Sequence, residues 1–205
     1  MKLTAKQGRG SKVHLSIDGE YVVTTSVNFW YSLGIPVETE ITEEEWEALL
    51  SKINYQKLYS RALDSLSIRD HSKKELTDKL IKKFGFEVKE DIALIIDELV
   101  EKGLLDDERF AHAYAEELIK RKHASPAGLR AALSAKGISR DIISSVLEDV
   151  NIDTKATINE LLDTKYHSRD LMNETQKTKV FNALVRLGFS YNDIKSVFYD
   201  RTKEI

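Results

Sequence analysis

Two hydrophobic rhythms divide the chain. In residues 1–40, Val13-His14-Leu15-Ser16-Ile17 and Tyr21-Val22-Val23-Thr24-Thr25 alternate or are β-branched on either side of Asp18-Gly19. An Asp-Gly pair between two such runs predicts a tight hairpin, because both turn positions need positive φ. A lone hairpin is marginal in water, so Leu3 to Gln7 is expected to add a third antiparallel strand. Past Gly34-Ile35-Pro36 the rhythm becomes helical and stays so to Ile205. Thr42-Glu43-Glu44-Glu45 opens the first long helix: Thr42 can accept from the backbone of Glu45, and the Glu45 carboxylate can reach back to Thr42.

The helical part repeats itself every roughly 51 to 53 residues. Leu76, Leu80, Gly85 and Phe86 match Leu129, Leu133, Gly137 and Ile138, and again Val180, Leu184, Gly188 and Phe189. The following helix repeats as well: Ile92, Ile95 and Ile96 match Ile143, Val146 and Leu147, then Ile194, Val197 and Phe198, each set spaced i, i+3, i+4 for one buried face. A preceding helix completes each unit, over 58–70, 107–122 and about 154–167. Glycines end the middle helices, and serines start helices: Ser72 with Glu75, Ser125 before Pro126, then Ser139 and Ser190.

The fold class expected is therefore mainly α. A small antiparallel β module (1–40) and a connecting helix (41–57) precede three tandem three-helix repeats at 58–104, 105–152 and 153–205. Units this small bury little alone, so neighbours should stack into a curved, elongated array with an extended binding surface.

Charge sharpens this picture. The net charge of −3 conceals segregation. Residues Glu87 to Glu108 are rich in acid, whereas Leu118 to Arg140 hold Lys120, Arg121, Lys122, Arg130, Lys136 and Arg140 without one Asp or Glu. Lys73, Lys74, Lys79, Lys82 and Lys83 form a second basic group in the first repeat. These eleven side chains are the candidate partner-binding residues, since basic surfaces attract phosphates and acidic protein surface. For any one lysine the plainer reading is a solvated helix face. Trp30, Trp46, Tyr55 and Tyr59 are expected to pack the N-terminal module against the first repeat rather than to stack bases.

Catalytic chemistry finds little support. The chain has no cysteine, no Gly-x-Ser-x-Gly and no phosphate loop or dinucleotide fingerprint. Asp106-Asp107-Glu108 stands directly before a helix, where capping is the natural role, and His112 with Glu116 falls at i, i+4 on a helix face, more often a local surface contact. The expectation is no catalytic site, no cofactor and no metal. No apolar run is long enough to span a bilayer and no secretory signal opens the chain, so a cytoplasmic protein is expected, without membrane partners and monomeric.

The segment Gly103-Leu104-Leu105-Asp106-Asp107-Glu108-Arg109-Phe110-Ala111, with Leu133-Ser134-Ala135-Lys136-Gly137-Ile138 downstream and Ala62 to Leu76 upstream, resembles the signature of the RecX family. The resemblance covers about Leu58 to Ile205; the third repeat matches most loosely and the N-terminal sheet is an addition. It implies a non-enzymatic regulator of homologous recombination and the SOS response, one that binds RecA filaments and typically restrains their recombinase, ATPase and coprotease activities. DNA is the second expected partner, reached within the filament or directly. The rival class is a helical-repeat module that acts on DNA alone.

Overall fold

The computed structural model describes residues 1–203; Glu204 and Ile205, the end of the third repeat as read from sequence, lie outside the described residues. Strands β1 (Lys2–Gln7), β2 (Lys12–Ile17), β3 (Glu20–Ser26) and β4 (Glu38–Glu40) form one antiparallel sheet in the order β3-β2-β1-β4. The β2–β3 hairpin turns on Asp18 and Gly19, at φ 50° and 93°. Its register shifts between Leu15 and Ser16, a bulge that strengthens local twist. The fourth strand and the short helix α1 (Val27–Ser32), capped by Ser26, are additions to the expected three strands. Both are too short to carry a periodic signal.

Leu3, Val13, Leu15 and Val23 line one face of the sheet and bury against Trp30 of α1 and Leu49 and Ile53 of α2 (Glu43–Leu66). Each such fully buried aliphatic side chain contributes on the order of 1.5–3 kcal/mol. The Thr42–Glu45 capping box starts α2 with both hydrogen bonds in place. This helix runs unbroken for 24 residues, so the connecting helix and the first helix of the first repeat are one element. Trp46 packs partly buried in the sheet core, whereas Tyr55 stacks on Tyr59 and donates to Glu98 of α4 (Lys89–Glu101) at 2.7 Å.

The remaining helices are α3 (Lys73–Phe84), α5 (Asp107–Lys122), α6 (Pro126–Ala135), α7 (Arg140–Asp149), α8 (Thr154–Asp163), α9 (Glu174–Arg186) and α10 (Tyr191–Lys203). The chain divides into two compact units, one of residues 1–69 and 77–98, the other of residues 70–76 and 99–205. Within the second unit, α5, α6 and α7 enclose a core of Phe110, Leu118, Leu129, Leu133, Ile143 and Val146, and α8, α9 and α10 enclose Ile158, Leu162, Val180, Leu184, Val197 and Phe198. The three-helix repeat is thus the packing unit.

One expected equivalence fails. Ile138 and Phe189 are buried, but Phe86 is 65% exposed. The middle helices of the second and third repeats close with i→i−5 bonds, from the Ile138 and Phe189 amides to the Leu133 and Leu184 carbonyls, which tuck the residue after the glycine inward. In the first repeat Gly85 makes only the i→i−4 bond to Ile81, and the extra residue between Leu80 and Gly85 turns Phe86 outward, under the Lys89 amine.

Candidate partner-binding surface and the joints that carry it

The best-built polar feature of the second unit is a joint used twice. Ser72 begins α3: its hydroxyl accepts from the Glu75 amide at 3.1 Å and donates to the Lys136 carbonyl at 2.7 Å. Ser125 begins α6 in the same way, accepting from the Gly128 amide at 3.0 Å and donating to the Leu187 carbonyl at 2.7 Å. Both serines are fully buried. Lys136 and Leu187 are the C-cap residues of α6 and α9, so each middle helix sets its N-terminus on the C-terminus of the next middle helix. One hydroxyl thereby satisfies an orphan donor of one helix and an orphan acceptor of another, with the helix dipoles head to tail.

The contact is close because the residue after each C-cap is glycine. A Cβ on Gly137 would lie 2.6 Å from the Lys74 Cβ, and one on Gly188 would lie 2.7 Å from the Ser125 Oγ; both glycines also hold positive φ, at 80° and 87°. They meet two demands at once, one of backbone conformation and one of space.

Acidic residues of the signature segment brace the first joint. Asp106 caps its own helix through the Glu108 and Arg109 amides, while the neighbouring Asp107 carboxylate accepts from the Lys73 amide of α3 at 2.8 Å. Lys73 and Lys74 occupy the first turn of α3, where the helix dipole disfavours cations, and Asp107 supplies negative charge there. Arg109 donates to the Gly103 and Leu104 carbonyls and to Asp70, each at 3.4 Å. His123, left-handed at the end of α5, faces Glu160 at 3.2 Å. His112 stands 3.7 Å from Asp149 rather than pairing with Glu116, whose carboxylate takes Lys120.

The eleven candidate cations therefore separate by environment. Lys136 is largely enclosed, its amine paired with Glu75 and 5.4 Å from the Tyr114 ring. Lys120 and Arg121 are exposed and carry i,i+4 partners, Glu116 and Glu117. Lys122, Arg130 and Arg140 are exposed and have no acidic partner among the described residues. Arg140 lies in the first turn of α7, where its helix gives a cation no stabilisation. Lys73 and Lys74 sit at one end of α3 and Lys82 and Lys83 at the other, about 14 Å apart at 1.5 Å rise per residue. Lys79 is half-buried between them. The basic group of the first repeat is thus two groups, one at the joint and one at the far helix end.

Among the described residues, no three His, Asp or Glu side chains converge as a metal site. No described helix is long and apolar enough to cross a membrane.

Serially joined three-helix units, of which the second and third each enclose a core, define a tandem helical-repeat protein. Residues 59–102 match the family model of the first three-helix domain of RecX, and residues 106–147 match that of the second. The regulatory protein RecX of Clostridium tetani is 31% identical over 201 residues, covering 96% of this chain and 91% of the relative. That of Salmonella newport is 32% identical over 160 residues, covering 74% of this chain and 96% of the relative. A crystal structure of a regulatory protein RecX, 23% identical, shares the fold with a TM-score of 0.68 over 95% of this chain and 96% of its own. RecX from Lactobacillus salivarius superposes with a TM-score of 0.57 at 26% identity, over 71% of this chain and 95% of its own. The chain belongs to the RecX family of regulatory proteins.

Proposed function

We propose that this protein binds the RecA nucleoprotein filament and restrains its recombinase, ATPase and coprotease activities, and so regulates DNA repair. The setting proposed is the cytoplasm, in homologous recombination and the SOS response, with the protein acting as a monomer and without enzymatic chemistry of its own. The observation that carries this reading is family membership joined to a set of exposed cations, Lys122, Arg130 and Arg140, that no acid among the described residues answers. A filament offers both phosphates and acidic protein surface to such groups. Lys82 and Lys83, exposed at the end of α3, extend the set, and Lys73, Lys74, Lys79, Lys120 and Arg121 contribute after giving up part of their internal pairing. Lys136 acts through the joint.

The test is inhibition of DNA-dependent ATP hydrolysis by RecA. The combined variant Lys122→Glu, Arg130→Glu and Arg140→Glu is expected to raise the half-inhibitory concentration about tenfold, ~1.4 kcal/mol of binding, with unchanged circular dichroism. Unchanged inhibition by that variant contradicts the assignment. The same unpaired cations suit a second reading, direct binding to duplex DNA. That reading requires affinity for DNA without recombinase, falling with salt at a log–log slope of about −0.9 per phosphate contacted.

A further inference from the structure

The first compact unit holds a basic cleft of which the proposed function uses only Lys83. It has a volume of about 640 Å³ and lies where the β2–β3 sheet edge, α2 and the end of α3 meet. Lys12 from β2, Lys57 and Arg61 from α2 and Lys83 from α3 line it, against the single carboxylate of Asp64. The hydroxyl-bearing residues Thr25, Ser26 and Ser60 line it as well. Lys57 and Arg61 are four residues apart and share a helix face.

These cations are not paired off within the unit. The Arg61 Nε is buried without an acceptor among the described residues. An unanswered buried N–H is costly, and what satisfies it is water or an acceptor from outside the chain. The Lys57 amine is half-buried, and desolvation holds its pKa below the usual lysine value. Lys83 leans over the Phe84 ring at 5.4 Å rather than onto a carboxylate. Three lysine amines, one planar guanidinium and hydroxyl donors around one cavity suit a phosphate, whose larger charge and additional oxygens can take more of these donors than a carboxylate can.

We propose that this cleft binds a phosphate group, with Lys57 and Arg61 at its centre and Lys12 and Lys83 at its rim. Two sources share that chemistry: a free phosphate or nucleotide, and the backbone of a nucleic-acid strand. The site is separable from the filament reading, since its residues belong to the first unit, share only Lys83 with the filament set and do not include Lys122, Arg130 or Arg140.

The test is thermal unfolding of the full chain at constant ionic strength with inorganic phosphate, adenosine monophosphate or a short oligothymidylate. Ligand that binds only the native state raises Tm. The expected result is a rise of several degrees with at least one probe, lost in Arg61→Gln and Lys57→Gln and retained in Lys122→Gln. Stabilisation by phosphate or nucleotide identifies a small-anion site; stabilisation by the oligonucleotide alone, at equal phosphate concentration, identifies a strand-backbone site. Since Arg61 is partly buried, Lys12→Gln with Lys83→Gln, both exposed, provides a second variant, expected to weaken binding severalfold without altering the fold. As a separate readout, the Lys57 Nζ is expected to titrate higher once the anion is bound. A Tm unmoved by all three probes, or an equal rise in wild type and the Lys57 and Arg61 variants, overturns the proposal.

Discussion

At the scale of single residues, Ser72 and Ser125 do the most with the fewest atoms. Each hydroxyl makes one bond that starts its own helix and one that fastens the next repeat. Ser72→Ala or Ser125→Ala is therefore expected to cost about 1–3 kcal/mol in urea unfolding, more than an isolated exposed cap. A loss under about 0.5 kcal/mol from either would place the inter-repeat bond outside the stability of the fold. Glycine offers a paired comparison. A Cβ at Gly103 meets nothing within 4 Å, so Gly103→Ala pays only for its φ of 67°, whereas Gly188→Ala adds a clash with Ser125 and Ala127. Gly188→Ala is expected to be the more destabilising by at least about 1 kcal/mol, because overpacking joins backbone strain; equal costs would mean the joint relaxes freely.

The local half of these roles was legible in sequence. Ser72 three residues before Glu75, and Ser125 before Pro126, mark helix starts. Their acceptors stand 64 and 62 positions away, and no spacing rule reaches that far. The pairing of Lys120 and Arg121 was visible at i−4, in Glu116 and Glu117, but lies just outside the acid-free stretch that drew attention. Asp107 reads as the cap of its own helix, and its bond to α3 depends on tertiary packing.

At the scale of elements, the two joints share a plan and differ in chemistry. Glu75 and Lys136 in the first are replaced by Gly128 and Leu187 in the second. Lys136→Leu removes the amine paired with the largely enclosed Glu75 carboxylate, and is expected to cost about 1–2 kcal/mol after allowance for partial solvent access. Adding Glu75→Gln should recover most of that loss; a purely additive double variant would show that the charges do not couple. The third repeat is closed differently. Arg201 of α10 grips both oxygens of Asp163 on α8, at 2.6 and 2.8 Å, and the Asn159 side chain at 2.7 Å. The Arg201 hydrogen bonds hold the Asp163 carboxyl below the usual carboxylate range. With a folded pKa depressed below the unfolded one, the clasp stabilises above the ordinary carboxylate pKa and is lost as pH falls through the depressed value. Carboxyl-carbon NMR should show Asp163 titrating below the usual carboxylate range, and Arg201→Gln should raise it. An Asp163 that titrates at the ordinary value would show the clasp to be loose in solution.

Helix-scale periodicity was the strongest signal in the chain. Apart from Leu99 of α4, the buried positions of α4, α6, α7, α9 and α10 fall on the residues that repeat in sequence, because one stripe of each helix must face a core. Where the count between Leu80 and Gly85 gained one residue, the equivalence broke at Phe86. The three-residue strand β4 and six-residue helix α1 escaped because neither spans enough turns or alternations to show a period.

For the whole molecule, the repeat period and the signature segment carried the family, which sequence identity over almost the full chain establishes. The partner surface was less legible, since unlike charges that cancel in the folded protein look the same in sequence as charges left for a partner. Folding removes Lys136 from that surface, divides the lysines of α3, and leaves Lys122, Arg130 and Arg140 unanswered by any acid among the described residues. The most direct measurement is a titration of this protein into RecA filaments hydrolysing ATP on DNA, beside a binding curve for the same DNA without RecA at the same salt. Half-inhibition is expected at a concentration at least about tenfold below that needed to coat bare DNA, a preference of ~1.4 kcal/mol for the filament. Inhibition that appears only as bare DNA becomes coated contradicts filament binding and assigns the effect to competition for DNA.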